Sequence, residues 1–594
     1  MLCDYQYSDM AADDWSALEE ELDPKGKSNL LPGLLAAFRE AGAVHFLEET
    51  AYIDRDYSAA YSQFYSTLHR QRPKFCRRIH FFAAQMESIW LEEDSQIVAE
   101  RLQAEAQDCY LGYLIIRPVV HAPVSHALLS SNHIKNPGVQ ITVRSTYRVH
   151  LLGAELLVEG VPVTEQDKLT GACAQATLWS AARHFHNRHA TPWFSITDIT
   201  DAAVKPTDSL LSSALPAGSE SLSDDNMVRA LRAMGEHPIV YTRRQPEEEL
   251  TFPDPEDSET ESEPSAAADE LRWETAPVHT LCQYLDSGIP VLIGLQKGKQ
   301  LGHAVMAVGY VVDTTRPHCE EAAASDLISH IIVHDDQRGP YRHLALEPPK
   351  KVEGTASNAL KGTSNTNASG ETKRDGPVYT LEDTIFLIVP LPNKVFLKAE
   401  IAETLARDEV ATIFKHRKDI LKFGLANKQA RASWKADDDV HGVEPAALVA
   451  RTYLTLGWKY RQRMVSNRAP EAVKEAIHSL HLPRYVWDVE FGLPQDFEPE
   501  DPCDQRIRGH VLIDATGNRF DDHAVLLAHL PGIVMSEHHE MMFDQAEDNN
   551  RFVIEDNTHL VVFGDDQPYF PKIRGLKDYK SCLSRRTARK RRSA

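Results

Sequence analysis

Apolar and polar positions change their period several times along the chain, and each change marks a different kind of element. From Leu30 to about Ile97 the pattern reads as helical: LLPGLLAAF, a tyrosine-rich stretch over 52–64, then IHFFAAQMESIWL. Cys109–Arg117 (CYLGYLIIR) has the β-branched and aromatic density of a buried strand and ends at Pro118. Residues 139–163 alternate in the manner of half-buried strands. The stretch 160–347 places helices first and strands later. After Thr380 a second mixed region runs as helices to about Arg463, then as strands near 484–491, 509–515 and 552–563. No internal repeat is visible.

Two segments break this patterning. Residues 246–270 are acidic, rich in Pro and Ser and poor in large apolar side chains, so they are expected to stay disordered. Residues 350–376 read as a Gly/Ser/Thr/Asn linker. The chain is thereby expected to be α+β, in the following order. A flexible N-terminus (1–30) leads into a mixed region, helical then strands (31–159). A central unit (160–347) carries the acidic insert, and a low-complexity linker follows (348–378). A C-terminal α+β region (379–575) precedes a basic tail (576–594). The last eleven residues, SRRTARKRRSA, carry six basic side chains and read as a solvated tail.

Composition narrows the function classes. At 594 residues, 42% hydrophobic and 25% charged, the chain has the balance of a soluble globular protein with room for several cores. Lys+Arg 64 against Asp+Glu 87 leaves a net charge of −23, which argues against nucleic acid as a partner. No apolar run approaches a membrane span of ~18–20 residues. The N-terminus lacks a basic start and an apolar core, so no secretory signal is expected. Eight cysteines without a CxxC pair point to free thiols in a reducing, cytoplasmic setting. The histidine clusters HFHNRH (184–189) and EHHEMM (537–542) lack zinc-ligand spacing, and neither GxxxxGK[ST] nor GxGxxG occurs. No metal and no cofactor is therefore expected. The oligomeric state is not legible.

Candidate chemistry lies in three segments. In QDKLTGACAQATLWSAARHF (166–185), small or apolar side chains recur at Ala174, Thr177, Leu178, Ala181, Ala182 and Phe185, the spacing of a helix with one buried face. Gly171 and Ala172 give a flexible entry, which puts Cys173 in the first turn. A helix N-terminus carries about half a unit of positive charge and free N–H groups. It favours thiolate over thiol and can stabilise an oxyanion. The second segment pairs two apolar runs, GIPVLIGLQ (288–296) and LGHAVMAVGYV (301–311), across the polar turn KGKQ. His303 opens the second run, next to Gly302, a place suited to a general base. A third run, 327–333, ends in HDDQRGPY, and a carboxylate at Asp335 or Asp336 could hold the imidazole in one tautomer. Taken singly, each has a plainer reading: a small buried cysteine, a core histidine, an acidic turn.

Together they resemble a family. Gln166, Cys173-Ala174-Gln175-Ala176, Gly302-His303-Ala304-Val305-Met306-Ala307-Val308-Gly309-Tyr310 and His334-Asp335-Asp336 are similar to motifs of the papain-like cysteine peptidases. The nearest likeness is to the compact bacterial branch that cleaves double-glycine leader peptides. Ser223–Tyr241 (SDDNMVRALRAMGEHPIVY) resembles that branch's second helix, which ends in Gly. The resemblance covers only the central region. It implies a papain-like fold with Cys173 as nucleophile, His303 as base, Asp335 as orienting carboxylate (Asp336 the alternative) and Gln166 as side-chain oxyanion donor. The implied activity is hydrolysis of a protein or peptide substrate. A transglutaminase-like enzyme, a deamidase, or a non-catalytic interaction protein would carry the same residues.

Overall fold

The computed structural model describes residues 5–562, except 10–13, 167–172, 205–221, 244–271, 299–301, 349–377, 427–444, 498–504, 518–523, 537–558 and a few isolated positions. The acidic insert, nearly all of the linker and the basic tail lie outside the described residues. So do residues 552–558 of the last expected strand.

The first sheet has five antiparallel strands in sequential order: β1 (Tyr5–Asp9), β2 (His45–Tyr52), β3 (Cys76–Phe82), β4 (Tyr110–Ile116) and β5 (Val124–Leu129). It corrects the expectation of continuous helix over 30–97. Helices α1 (Asp14–Leu22), α2 (Leu31–Glu40), α3 (Arg55–Gln63), α4 (Glu87–Trp90) and α5 (Ser95–Arg101) alternate with β2 and β3. Both of those strands hide charge, which blurs their pattern. Arg77 pairs with Glu48 and Arg78 with Glu49 across adjacent strands, so charged positions sit inside an apolar layer. The N-terminal stretch expected to be loose instead supplies β1 and α1, whose Trp15, Leu18 and Leu22 are buried.

The second sheet is the central one. Its path is β13 (Gly339–Ala345), β12 (Ile328–Asp335), β11 (His303–Val312), β10 (Val291–Leu295), β14 (Thr384–Pro392) and β9 (Glu236–Thr242). A short strand, β6 (Val139–Ile141), joins β11 beyond the end of β10. Gly309 makes that approach feasible, because a Cβ there would lie 2.1 Å from the Gln140 carbonyl oxygen. The sheet thus draws strands from both sides of 160–347. β14 falls where helix was expected. A hairpin, β7 (Ser145–Leu151) and β8 (Ala154–Gly160), keeps the alternation read from the sequence.

Against the central sheet pack α6 (Cys173–His189), α8 (Asp224–Ala233) and α9 (Pro277–Asp286), with α7 (Ile196–Val204) laid against α6 and α8. Ser223 caps α8 by accepting from the Asn226 N–H, and Gly235 follows the helix at φ +94°, a conformation that favours glycine. After α10 (Ala399–Ala426) comes a six-stranded antiparallel meander: β15 (Val449–Leu456), β16 (Tyr485–Gly492), β17 (Gly509–Asp514), β18 (Val525–Leu530), β19 (Ile533–Ser536) and β20 (His559–Val562). One hydrophobic core runs through all three sheets, from Phe38 through Leu178 and Val305 to Trp487 and Ile513. Trp487 meets Tyr284 of α9 edge-on at 5.9 Å and donates to the Leu397 carbonyl. Among the described residues no helix is long and apolar enough to cross a membrane.

Candidate active site

Each of the three reactive groups sits at the end of an element, where side chains are free to converge. Cys173 is the first residue of α6, half-buried, with the free N–H groups of the first turn around it. Thr177, one turn on, donates its hydroxyl to the Ala304 carbonyl at 3.0 Å and so ties the start of α6 to the start of β11. His303 is the first residue of β11, and Asp335 is the last of β12, two strands that pair directly.

The imidazole is only 8% exposed. Its Nε2 lies 3.2 Å from Asp335 Oδ1, which also accepts from the Gln337 and Arg338 backbone N–H groups at 2.9 and 3.3 Å. Those two amides fix the carboxylate independently of the histidine. The Cys173 side chain also acts on His303, raising the imidazole pKa. Burial pulls the imidazole pKa down. The Asp335 and Cys173 hydrogen bonds and the charges of both aspartates outweigh it, and His303 is pushed up to about 11. Burial acts on Asp335 in the opposite sense, but the hydrogen bond and charge of His303 hold its carboxyl below the usual range. The pair is therefore an imidazolium–carboxylate pair at neutral pH.

Asp336 occupies a different position. Its Oδ1 is 3.9 Å from Nε2, too far for a hydrogen bond, and neither of its oxygens has a hydrogen-bond partner among the described residues. The side chain is buried, and burial raises its pKa to about 7. Donor atoms of His303, Asp335 and Asp336 lie within 4.8 Å of one another, close enough to hold a divalent cation.

Gln166 is half-buried, and no hydrogen bond among the described residues joins it to Cys173 or His303. Its neighbour Glu165 fixes the segment: Ser28 Oγ donates to Oε1 at 2.6 Å, and the Val124 N–H donates to Oε2 at 3.0 Å. Gly302 is exposed, and among the described residues a Cβ there would meet the Leu295 carbonyl oxygen at 3.6 Å.

One residue at the site escapes sequence reasoning. Tyr379, just past the linker, stacks on His303 with ring centroids 5.9 Å apart and planes 20° from parallel. Burial and the neighbouring Cys173 raise its hydroxyl pKa. An isolated aromatic at a linker's end carries no sequence signal that would place it there. Among known proteins, no family model, curated protein or solved structure matches this chain.

Proposed function

We propose that the central region is a papain-like cysteine hydrolase that cuts peptide or isopeptide bonds. The observation that carries this reading is the arrangement of one buried imidazole. Its Nε2 is held by a carboxylate that two backbone amides fix, and a cysteine at a helix N-terminus is near enough to raise its pKa.

The chemistry follows from those positions. The Cys173 thiolate, beside the imidazolium, attacks the substrate carbonyl carbon and forms a C–S bond. The oxyanion faces the free N–H groups at the start of α6, with Gln166 as a second donor. As the C–N bond breaks, His303 gives its proton to the departing amine. A water molecule then attacks the thioester, His303 takes the water's proton, and carboxylic acid and free enzyme separate. Asp335 keeps the ring oriented through both steps.

The test is hydrolysis of fluorogenic peptide amides, among them peptides with Gly-Gly before the scissile bond, by the full chain. Release by wild type and not by Cys173→Ala supports the assignment. Release that survives Cys173→Ala, or wild type no faster than that variant on every peptide, contradicts it.

A further inference from the structure

A second group of chemistry-bearing side chains lies where the first sheet meets the flank of α6. Asp54 caps α3, Asp56 lies in its first turn, and His126 stands in the middle of β5. One donor atom from each comes within 4.8 Å of the other two. Asp54 is 2% exposed and His126 8%, so neither is a solvated surface charge.

The hydrogen bonds around the group are divided in a particular way. Asp54 uses Oδ2 to accept from the Tyr57 N–H at 2.9 Å and from Ser125 Oγ at 2.7 Å. Its Oδ1 is left facing His126 Nδ1 at 3.9 Å, beyond hydrogen-bonding distance. Asp56 uses Oδ1 for Trp179 Nε1, at 2.8 Å, and for the Arg183 guanidinium. The His126 ring is wedged edge-on to Tyr113 at 5.7 Å and beside Trp179 at 5.4 Å. Its Nδ1 is buried with no hydrogen-bond partner among the described residues. A buried nitrogen without a partner is destabilising unless something else occupies its lone pair. A buried carboxylate held through one oxygen while the other faces an unpartnered imidazole nitrogen, as in Asp54, is the arrangement that orients a metal ligand.

We propose that Asp54, Asp56 and His126 form a binding site for a first-row divalent metal ion such as Zn²⁺ or Mn²⁺. One imidazole nitrogen with two carboxylate oxygens suits those ions better than Mg²⁺ or Ca²⁺, which favour all-oxygen sets. Ligands at about 2.0–2.2 Å from a common ion lie roughly 3–4 Å from one another, so the Asp54–His126 separation already fits. The ion would join α3 to β5. Through Trp179 and Arg183 it would also press α6 against both, about 9–15 Å of helix rise beyond Cys173. The three ligands are spread over positions 54, 56 and 126, outside both histidine clusters of the sequence.

The experiment is isothermal titration of the chelator-treated full chain with Zn²⁺ and, separately, with Mn²⁺, in a Cys173→Ala background that removes the reactive thiol. One equivalent bound at micromolar Kd or tighter, lost or weakened at least tenfold in both Asp54→Asn and His126→Gln, supports the site. Asn remains a good helix cap, so Asp54→Asn keeps α3 closed. Binding unchanged in both variants, or no binding of either ion, overturns the proposal. A second readout is the Co²⁺ spectrum of the wild-type chain and of His126→Gln. A nitrogen–oxygen spectrum lost in the variant supports the site, and one that survives in it, or a strong thiolate band in wild type, overturns it.

Discussion

Replacing Asp336 by Asn removes a negative charge from beside the candidate dyad while keeping the side chain's shape. In the wild type both Asp336 oxygens are buried without a hydrogen-bond partner among the described residues, and burial raises the pKa from an ordinary 3.8 to about 7. The sign follows from linkage: a carboxyl raised in the folded state is no burden below its unfolded pKa and becomes one as the pH climbs through its folded pKa. The gap between those two values, at about 1.36 kcal/mol per pH unit, sets a ceiling of about 4 kcal/mol. The amide of Asp336→Asn carries no charge at any pH and escapes this cost. It is as poorly partnered as the neutral acid, so variant and wild type should be close in stability at pH 4. By pH 8 the variant should lead by about 2–4 kcal/mol. Asp335 and His303 titrate in both proteins, but the variant lacks the Asp336 charge that helps hold His303 high, so its lead should fall below the ceiling. The assay is the melting temperature of both proteins from pH 4 to 8, where 1 kcal/mol is worth about 2–4 °C in a domain of 150–250 residues. The gap should open by several degrees, in favour of the variant, as the pH rises. A constant gap, or one that closes with rising pH, would refute the assignment of Asp336 as a buried, unpaired carboxyl.

Four other outcomes follow from the same structure. Asp335→Ala should slow alkylation of Cys173 at pH 7 by about 10–100-fold, and Asp335→Asn should recover part of that rate because an amide oxygen still accepts from Nε2; equal rates in all three proteins would remove Asp335 from the orienting role. Thr177→Val deletes the bond from α6 to the Ala304 carbonyl and should cost about 1 kcal/mol by denaturant titration, with peptide hydrolysis reduced more than the stability loss explains. Glu49→Gln strips the buried Arg78 of its counter-charge and should destabilise the first sheet by about 3–5 kcal/mol, read as a lowered melting temperature. Trp487→Ala should cost about 3–5 kcal/mol, because the ring fills the core between α9 and the C-terminal sheet.

The residues of the candidate site are legible in the sequence because each sits at the boundary of a strongly patterned element. The small-residue face after Cys173, the unbroken apolar run after His303 and the acidic turn after Val333 each mark one side of the convergence. Elsewhere the pattern misleads. Arg77, Arg78, Glu48 and Glu49 interrupt apolar runs that are nevertheless strands, and their ion pairs form only once β2 and β3 lie side by side. β14 reads as the start of a helical region, because nothing local says that it will insert between β10 and β9. The choice between Asp335 and Asp336 is open in the sequence, and distances of 3.2 and 3.9 Å from Nε2 separate them. Tyr379 over His303, and Asp54 facing His126, are products of tertiary packing alone.

Whether Cys173 is a nucleophile activated by His303 is tested most directly by competition between thiols within one molecule. Cys319 is exposed whereas Cys173 is half-buried, so accessibility alone favours Cys319. Wild-type protein at pH 6.5 is treated with a limiting amount of a peptidyl vinyl sulfone, and the adducts are located by mass spectrometry. Cys173 should be modified first, and in His303→Ala its rate should fall by at least about tenfold while Cys319 reacts as before. Cys319 modified first in wild type, or a Cys173 rate indifferent to His303, would contradict the assignment.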